Sequence, residues 1–184
     1  MSRSRFQEIK QKFNELSQKR RDELLRDIYK FSNDTRLFLE NRLLGGSLGD
    51  DFVKQMERET ITKVYKMPPG DINGRVVDSI ISKAKKSGVN IWTIMKLEQL
   101  AYRGFIEFLN EYGGGPETYD YMASRHFENY LKLVKGEIKE EQERIQIFTE
   151  LKTYLEKKDN MYTDELDEIF EKETGVEVER KRRY

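Results

Sequence analysis

The stretch NIWTIMKLEQLAYRGFIEFLNEY, residues 90–112, differs from the rest of the chain in how its apolar side chains are distributed. They recur at helical spacing, but they lie on most of the circumference of the helix that this spacing predicts. A helix that is apolar nearly all round is typical of a buried core element. We therefore expect residues 90–112 to form a central helix with the other helices packed around it.

Glycine and proline divide the flanking sequence into segments. Glycines cluster at residues 45–46 and 113–115, and two of the three prolines are adjacent at residues 68–69. Between these breaks apolar residues recur every three or four positions, and no alternation typical of a strand is found. The sequence therefore predicts an all-α fold of about eight or nine helices. An irregular helical-repeat arrangement stays open as an alternative, although no repeat of fixed period is found.

Three helices are expected upstream of residues 45–46, each with one apolar stripe. The stripes comprise Phe6, Ile9, Phe13 and Leu16, then Leu24, Leu25, Ile28 and Tyr29, and then Leu37, Phe38, Leu39 and Leu43. Ser17 is placed to cap the second helix, because its hydroxyl can accept a hydrogen bond from a free amide of the first turn.

The length of 184 residues suits one domain. We predict a single helical domain over residues 1–175 and a charged C-terminal tail over residues 176–184. The tail offers only Val176 and Val178 to a core before its charged end. Burial of two valines stabilises less than the ordering of nine residues costs, so we expect the tail to be mobile or only loosely docked.

Composition limits the classes of function. Lys plus Arg equals Asp plus Glu at 34 each, so the net charge gives no general argument for binding nucleic acid. The absence of cysteine excludes disulfides, thiol catalysis and cysteine-ligated metal sites. No stretch approaches the ~20 continuous apolar residues of a membrane span, and the N-terminus lacks the apolar core of a secretory signal. We expect a cytoplasmic protein without membrane contact.

Two basic clusters are candidates for contact with an anion or a partner. They are Lys19, Arg20 and Arg21 at the start of the second helix, and Arg180, Lys181, Arg182 and Arg183 in the tail. Such clusters can bind phosphates or an acidic protein. The alternative interpretation of the tail is a solvated chain terminus.

Tyr112, Tyr119 and Tyr121 flank the glycine turn at residues 113–115 and form a candidate aromatic interaction surface. Tyrosine is enriched in binding surfaces because one end of its side chain is apolar and the other polar. The alternative interpretation is the edge of a core, with hydroxyl groups that reach water.

The residue types needed for catalysis do not form a recognisable pattern. His126 is the single histidine of the chain, and it falls in line with the apolar stripe of its helix. It is therefore better interpreted as a packed histidine at a helix contact than as a general base or metal ligand. Runs of carboxylates lack the Glu-x-x-His pairs of a di-metal bundle site. We predict no catalytic residue, no metal ligand and no cofactor.

Two stretches carry a resemblance to a known family. They are ELSQKRRDELLRDIYKFSNDTRLFLENRL, residues 15–43, and FLNEYGGGPETYDYMASRHFENYLKLV, residues 108–134. Together they resemble a bacterial family of small all-helical proteins catalogued only as a domain of unknown function. The resemblance implies an all-helical cytoplasmic protein, and its shared patterns concern packing and turns rather than site chemistry.

The leading hypothesis is a non-enzymatic helical interaction or regulatory module that binds another macromolecule, most plausibly a protein, with a homo-oligomer among the candidates. Wide charged faces and exposed aromatic side chains are typical of a recognition surface. One alternative is a nucleic-acid-associated protein that uses the basic clusters. A second alternative is an enzyme with a carboxylate metal site that only tertiary contacts assemble.

Overall fold

The structure is a computed structural model that describes residues 4–44, 48–158 and 160–179. In these residues the regular secondary structure is entirely helical, which confirms the all-α prediction. The helices are α1 (Arg5–Glu15), α2 (Gln18–Phe31), α3 (Asn33–Leu44), α4 (Leu48–Glu59), α5 (Ile61–Val64), α6 (Gly74–Lys86), α7 (Ile91–Tyr112), α8 (Thr118–Glu137), α9 (Glu141–Lys157) and α10 (Asp164–Thr174). Within the described ranges no helix is long and apolar enough to cross a membrane.

Residues 1–175 were expected to form a single domain, and the chain divides into two compact units. The first, here called the N-terminal unit, contains α1, α2 and α3 with the short segment Lys86–Gly88. The second, here called the core unit, contains the other helices. None of the described residues in α1, α2 or α3 is buried, so their apolar stripes do not contribute to the buried core, contrary to expectation.

Helix α7 is the centre of the core unit, as the sequence of residues 90–112 predicts. Twelve of its 22 residues are buried, and α4, α5 and α8 pack against it. The Asn90 side chain caps its first turn by accepting a hydrogen bond from the Thr93 amide at 2.8 Å. Gly113, with φ of 64°, ends it in the left-handed conformation that glycine adopts without strain.

The segment between residues 48 and 64 forms two helices, α4 and α5, instead of one continuous helix. Thr60 interrupts it with a non-helical backbone, φ −110° and ψ −91°. The Thr60 hydroxyl donates to the Met56 carbonyl at 2.7 Å, and the whole residue is buried. Helix α7 approaches this break at Gly104, where an added methyl group would lie 2.5 Å from Thr60 Cβ.

We expect Gly104→Ala to destabilise the protein by about 1–3 kcal/mol, because the new methyl group overlaps a buried side chain and its backbone. Gly136→Ala is the matched control, since a methyl group there meets no atom within 4 Å. Alanine also favours a helix over glycine by up to about 1 kcal/mol, so the control should be neutral or stabilising. Urea unfolding of both variants measures the difference, and equal effects would contradict the close approach.

The C-terminal segment differs from the expected loose tail. Val178 is buried in the core, its amide donates to Glu171 Oε1 at 2.9 Å, and the Glu179 amide donates to Glu156 Oε1 at 3.3 Å. Neighbouring helices thus supply hydrogen-bond partners that the tail's own sequence does not reveal, and these offset the cost of ordering it. This docked segment comprises residues 176–179, and residues 180–184 lie outside the described part of the chain.

Val178→Asp should lower the free energy of unfolding by about 1.5–3 kcal/mol or more, the contribution of one buried valine before any cost of burying a carboxylate. Val176→Asp is the control, because that side chain is 37% exposed, and its effect should stay within about 0.5 kcal/mol. Thermal and urea unfolding give both values. If the two variants lose the same stability, the docking of Val178 is wrong.

Candidate functional site: the open apolar surface of the N-terminal unit

Apolar side chains cover much of the N-terminal unit without being buried. Eleven large ones exceed about a third of their full exposure, whereas a globular core would bury most of them. They are Phe6, Ile9, Phe13, Leu24, Leu25, Ile28, Tyr29, Phe31, Phe38, Leu43 and Leu44. Their exposed fractions sum to about six complete side chains, on the order of 1,000 Å² if each offers roughly 150–250 Å².

Helix α1 carries the first part of this surface, the apolar ridge formed by Phe6, Ile9 and Phe13. Successive spacings of three and four residues place the three side chains on one face of the helix. Phe6 is 68% exposed and Ile9 is 64% exposed. Phe13 is less exposed, at 41%, and the Arg21 guanidinium lies 5.6 Å from its ring centroid. Ile9 and Phe13 also face Leu24 of α2 across an open space of about 630 Å³. The ridge is therefore most exposed at Phe6 and Ile9.

Helices α2 and α3 form the second part, an apolar groove of about 340 Å³. Its apolar lining comprises Leu25, Tyr29, Leu39, Leu43 and Leu44, and its charged lining comprises Asp22, Arg26 and Glu40. The groove thus offers apolar side chains that a partner could contact, together with charged side chains that could orient the partner.

A hydrogen bond joins the two walls of the groove. Tyr29 on α2 donates its hydroxyl proton to Glu40 Oε1 on α3 at 2.6 Å. This hydrogen bond raises the pKa of the Tyr29 hydroxyl. The turn between the helices is fixed by Ser32, whose hydroxyl accepts from the Thr35 amide at 3.0 Å. The groove walls are thus held together by polar contacts while their apolar side chains stay uncovered.

The predicted basic cluster lies at the start of α2 and is largely occupied by the chain itself. Ser17 caps the helix as predicted, accepting from the Arg20 amide at 3.4 Å. Arg20 pairs with Glu23 at 3.0 Å, and Arg21 donates to the carbonyl of Asn14 at 2.6 Å. Lys19 is exposed on the same turn. Arg21 therefore fastens the end of α1 to α2 rather than facing a ligand.

The second basic cluster, Arg180, Lys181, Arg182 and Arg183, lies outside the described residues. Its assignment as an anion or partner contact stays a prediction.

The three tyrosines of the predicted aromatic surface do not share one environment. Tyr119 is buried, and its hydroxyl accepts from the Ile72 amide at 2.7 Å, so it does not belong to a surface. Its position on the stripe of α8 directs it toward α7. Tyr112 donates to the Val64 carbonyl at 2.5 Å and is 39% exposed, whereas Tyr121 is 64% exposed. Tyr121 is thus the most exposed of the three, with the Arg125 guanidinium 5.9 Å from its ring centroid.

His126 lies in a buried polar cluster that links three helices of the core unit. Its Nδ1 atom is 2.7 Å from Oε2 of Glu98 on α7, and both side chains are almost fully buried. Arg125 donates to His126 Nε2 at 3.1 Å and pairs with Asp78 of α6 at 2.5 Å. Nδ1 thus faces the Glu98 carboxylate, whereas Nε2 faces the Arg125 guanidinium and lies 3.6 Å from Asp78 Oδ1, so both nitrogens are engaged by protein groups. Lys85 approaches the other oxygen of Glu98 at 3.4 Å.

Packing explains the cluster better than catalysis does. The imidazole ring stacks on Phe105, with the ring planes 8° apart, and offers no unengaged nitrogen to a substrate. Sequence reasoning identified His126 as a packed residue and missed Glu98. The available signal was weak, because Glu98 is the single carboxylate of residues 94–106 but stands among Lys96, Gln99 and Arg103.

His126→Leu should destabilise the protein by about 3–5 kcal/mol, because it leaves Oε2 of the buried Glu98 carboxylate without its histidine partner, and the partly exposed Lys85 amine lies 3.4 Å from the other oxygen. The double variant Glu98→Leu/His126→Leu is the control. It removes both polar groups and should recover most of the loss, since a buried pair replaced by apolar groups is often neutral. Urea unfolding of the three proteins tests this, and a double variant less stable than the single one would refute it.

The described residues contain no group of three or more His, Asp or Glu side chains that could hold a metal ion. Comparison with protein-family models, with curated proteins and with solved structures gives no significant match. The resemblance to a bacterial family of helical proteins thus stays a prediction.

Proposed function

We propose that this protein is a helical interaction module whose N-terminal unit binds another protein. The observation that carries the proposal is the contrast within that unit: no described residue of α1, α2 or α3 is buried, and eleven large apolar side chains are exposed. Water contact of this extent is unfavourable by roughly 25 cal/mol per Å², so a covering partner gains stability from it.

The apolar chemistry of the surface favours a protein over a nucleic acid. Phosphate binding requires cations that are free to face the ligand. Arg20 and Arg21 bond to groups of their own chain, and the open surface between the helices is lined mainly by leucine and aromatic residues. A protein that presents an amphipathic helix matches such a groove.

A photoreactive benzoylphenylalanine at position 43 tests the proposal in living cells. Leu43 lines the groove and is 67% exposed, so the probe should form a covalent adduct of defined mass with a protein. The same probe at Met161 of the core unit is the control, because that side chain is 75% exposed but lies outside the groove. The proposal fails if position 43 gives no protein adduct, or if both positions give the same set of adducts.

A further inference from the structure

We infer that the groove between α2 and α3 binds the apolar ridge of helix α1 from a second copy of this chain. The inference rests on the proposed function and names its partner. Its basis is that the chain presents both halves of a helix-in-groove contact, and both halves are partly exposed. The ridge is Phe6, Ile9 and Phe13, and the groove is the one lined by Leu25, Tyr29 and Leu43 together with its other residues.

The two halves match in length and in kind. Phe6 to Phe13 spans seven residue steps, about 10 Å along a helix, and Asp22 to Tyr29 spans the same number of steps on the groove wall. Anchors spaced three and four residues apart on an amphipathic helix are the pattern that such grooves bind. Phe6 and Ile9 keep about two-thirds of their surface exposed in the free chain.

The charges around the two halves are opposite in sign. At 100° per residue, Arg5 flanks one side of the ridge and Lys10 flanks the other, while Glu8 and Glu15 of α1 lie toward the back. Lys12 lies on the same side as Arg5 but pairs with Glu15 at 2.9 Å.

Each wall of the groove carries a carboxylate, Asp22 on α2 and Glu40 on α3, with Arg26 as the cation of the lining. A ridge with cations on both flanks therefore meets a groove with a carboxylate on each wall. This arrangement also sets the orientation, since a misaligned helix would bring Lys10 or Arg5 against Arg26.

In a dimer with a two-fold axis, the ridge of each copy would lie in the groove of the other, so the contact would form twice. The exposed fractions of the ridge and the apolar groove lining sum to about four complete side chains, on the order of 700 Å² per copy. Stable protein interfaces bury about 1,200–2,000 Å² in total, so the two copies together, at about 1,400 Å² if the contact covers these side chains fully, fall at the lower part of that range.

Sedimentation equilibrium of the full-length protein over a wide concentration range tests the inference. We expect a reversible dimer that Ile9→Glu on the ridge and Leu43→Glu in the groove each weaken by more than about 30-fold, because removing one buried anchor costs about 30-fold and each substitution removes an anchor from both contacts. Phe31→Glu is the matched control, because Phe31 lies on α2, is 84% exposed and belongs to neither half. All three substitutions are at exposed positions, and circular dichroism checks that helicity is unchanged.

Mixing the two defective variants gives the sharpest test. A dimer of Ile9→Glu with Leu43→Glu has one contact with both defects and one contact with none, because the intact groove of the first binds the intact ridge of the second. We expect the mixture to form a heterodimer at concentrations where each variant alone is a monomer. Variants that disrupt some other interface would not complement each other in this way.

Several outcomes overturn the inference. The first is a wild-type protein that stays monomeric at all concentrations. The second is a dimer that Ile9→Glu or Leu43→Glu leaves intact, or that Phe31→Glu also disrupts. The third is a failure of the two defective variants to form a heterodimer. If the chain is monomeric and the probe at position 43 attaches to a different protein, the second copy is excluded and the proposed function stands. If the probe attaches to no protein and the chain binds lipid vesicles instead, both proposals fail.

Discussion

Helix α7 requires neighbours on every side, because its apolar side chains leave only a narrow strip for water. Helices α4, α5 and α8 supply these neighbours, and each contact places its own demand on the sequence. The approach to Thr60 requires glycine at position 104. The approach to α8 requires a partner for the buried carboxylate of Glu98, which His126 provides. An apolar helix could rotate among several similar packings. The close approach at Gly104 and the contact between Glu98 and His126 allow only one rotational position of α7.

The helices of the N-terminal unit are under no such constraint. Helices α1 and α2 each have a single stripe, whereas the apolar side chains of α3 are distributed around the helix, contrary to the single stripe expected there. Three short helices enclose too little volume to bury these side chains. Arg21 and Tyr29 hold the helices together through polar contacts, so the unit keeps its shape while its apolar side chains face water. Burial within the chain and burial against a partner are governed by the same free energy of transfer. The exposed stripes are therefore best explained as one side of an intermolecular contact.

The sequence allowed prediction of what depends on local periodicity. The central helix, the all-α class and the cap at Ser17 were predictable, because they follow from spacing and from the chemistry of helix ends. Predictions that depended on which face meets a neighbour were less accurate. Tyr119 was assigned to a surface and lies in the core, and Val178 was assigned to a loose tail and is buried. Both depend on contacts with residues distant in the sequence, and a single sequence does not show these.

Exposure of the N-terminal stripes was missed for the same reason. An amphipathic pattern predicts that one face of a helix avoids water, but it does not specify what covers that face. Periodicity within the chain is identical whether the cover is intramolecular or a second molecule. From the sequence alone, Phe6 and Ile9 are therefore interpreted as core positions, whereas the structure shows both side chains exposed.

Charge balance bears on which molecule covers them. Self-association is opposed by repulsion when a chain carries a large net charge, and this chain carries equal numbers of acidic and basic residues. Local charges nevertheless differ, with cations beside the ridge and carboxylates on the groove walls. An unrelated helix could fill the groove and leave the ridge exposed, or a separate groove could take the ridge alone. A second copy would cover the ridge and the groove at once, with charges of the correct sign. Any other single partner would need both an apolar helix ridge and an apolar groove of its own to do the same.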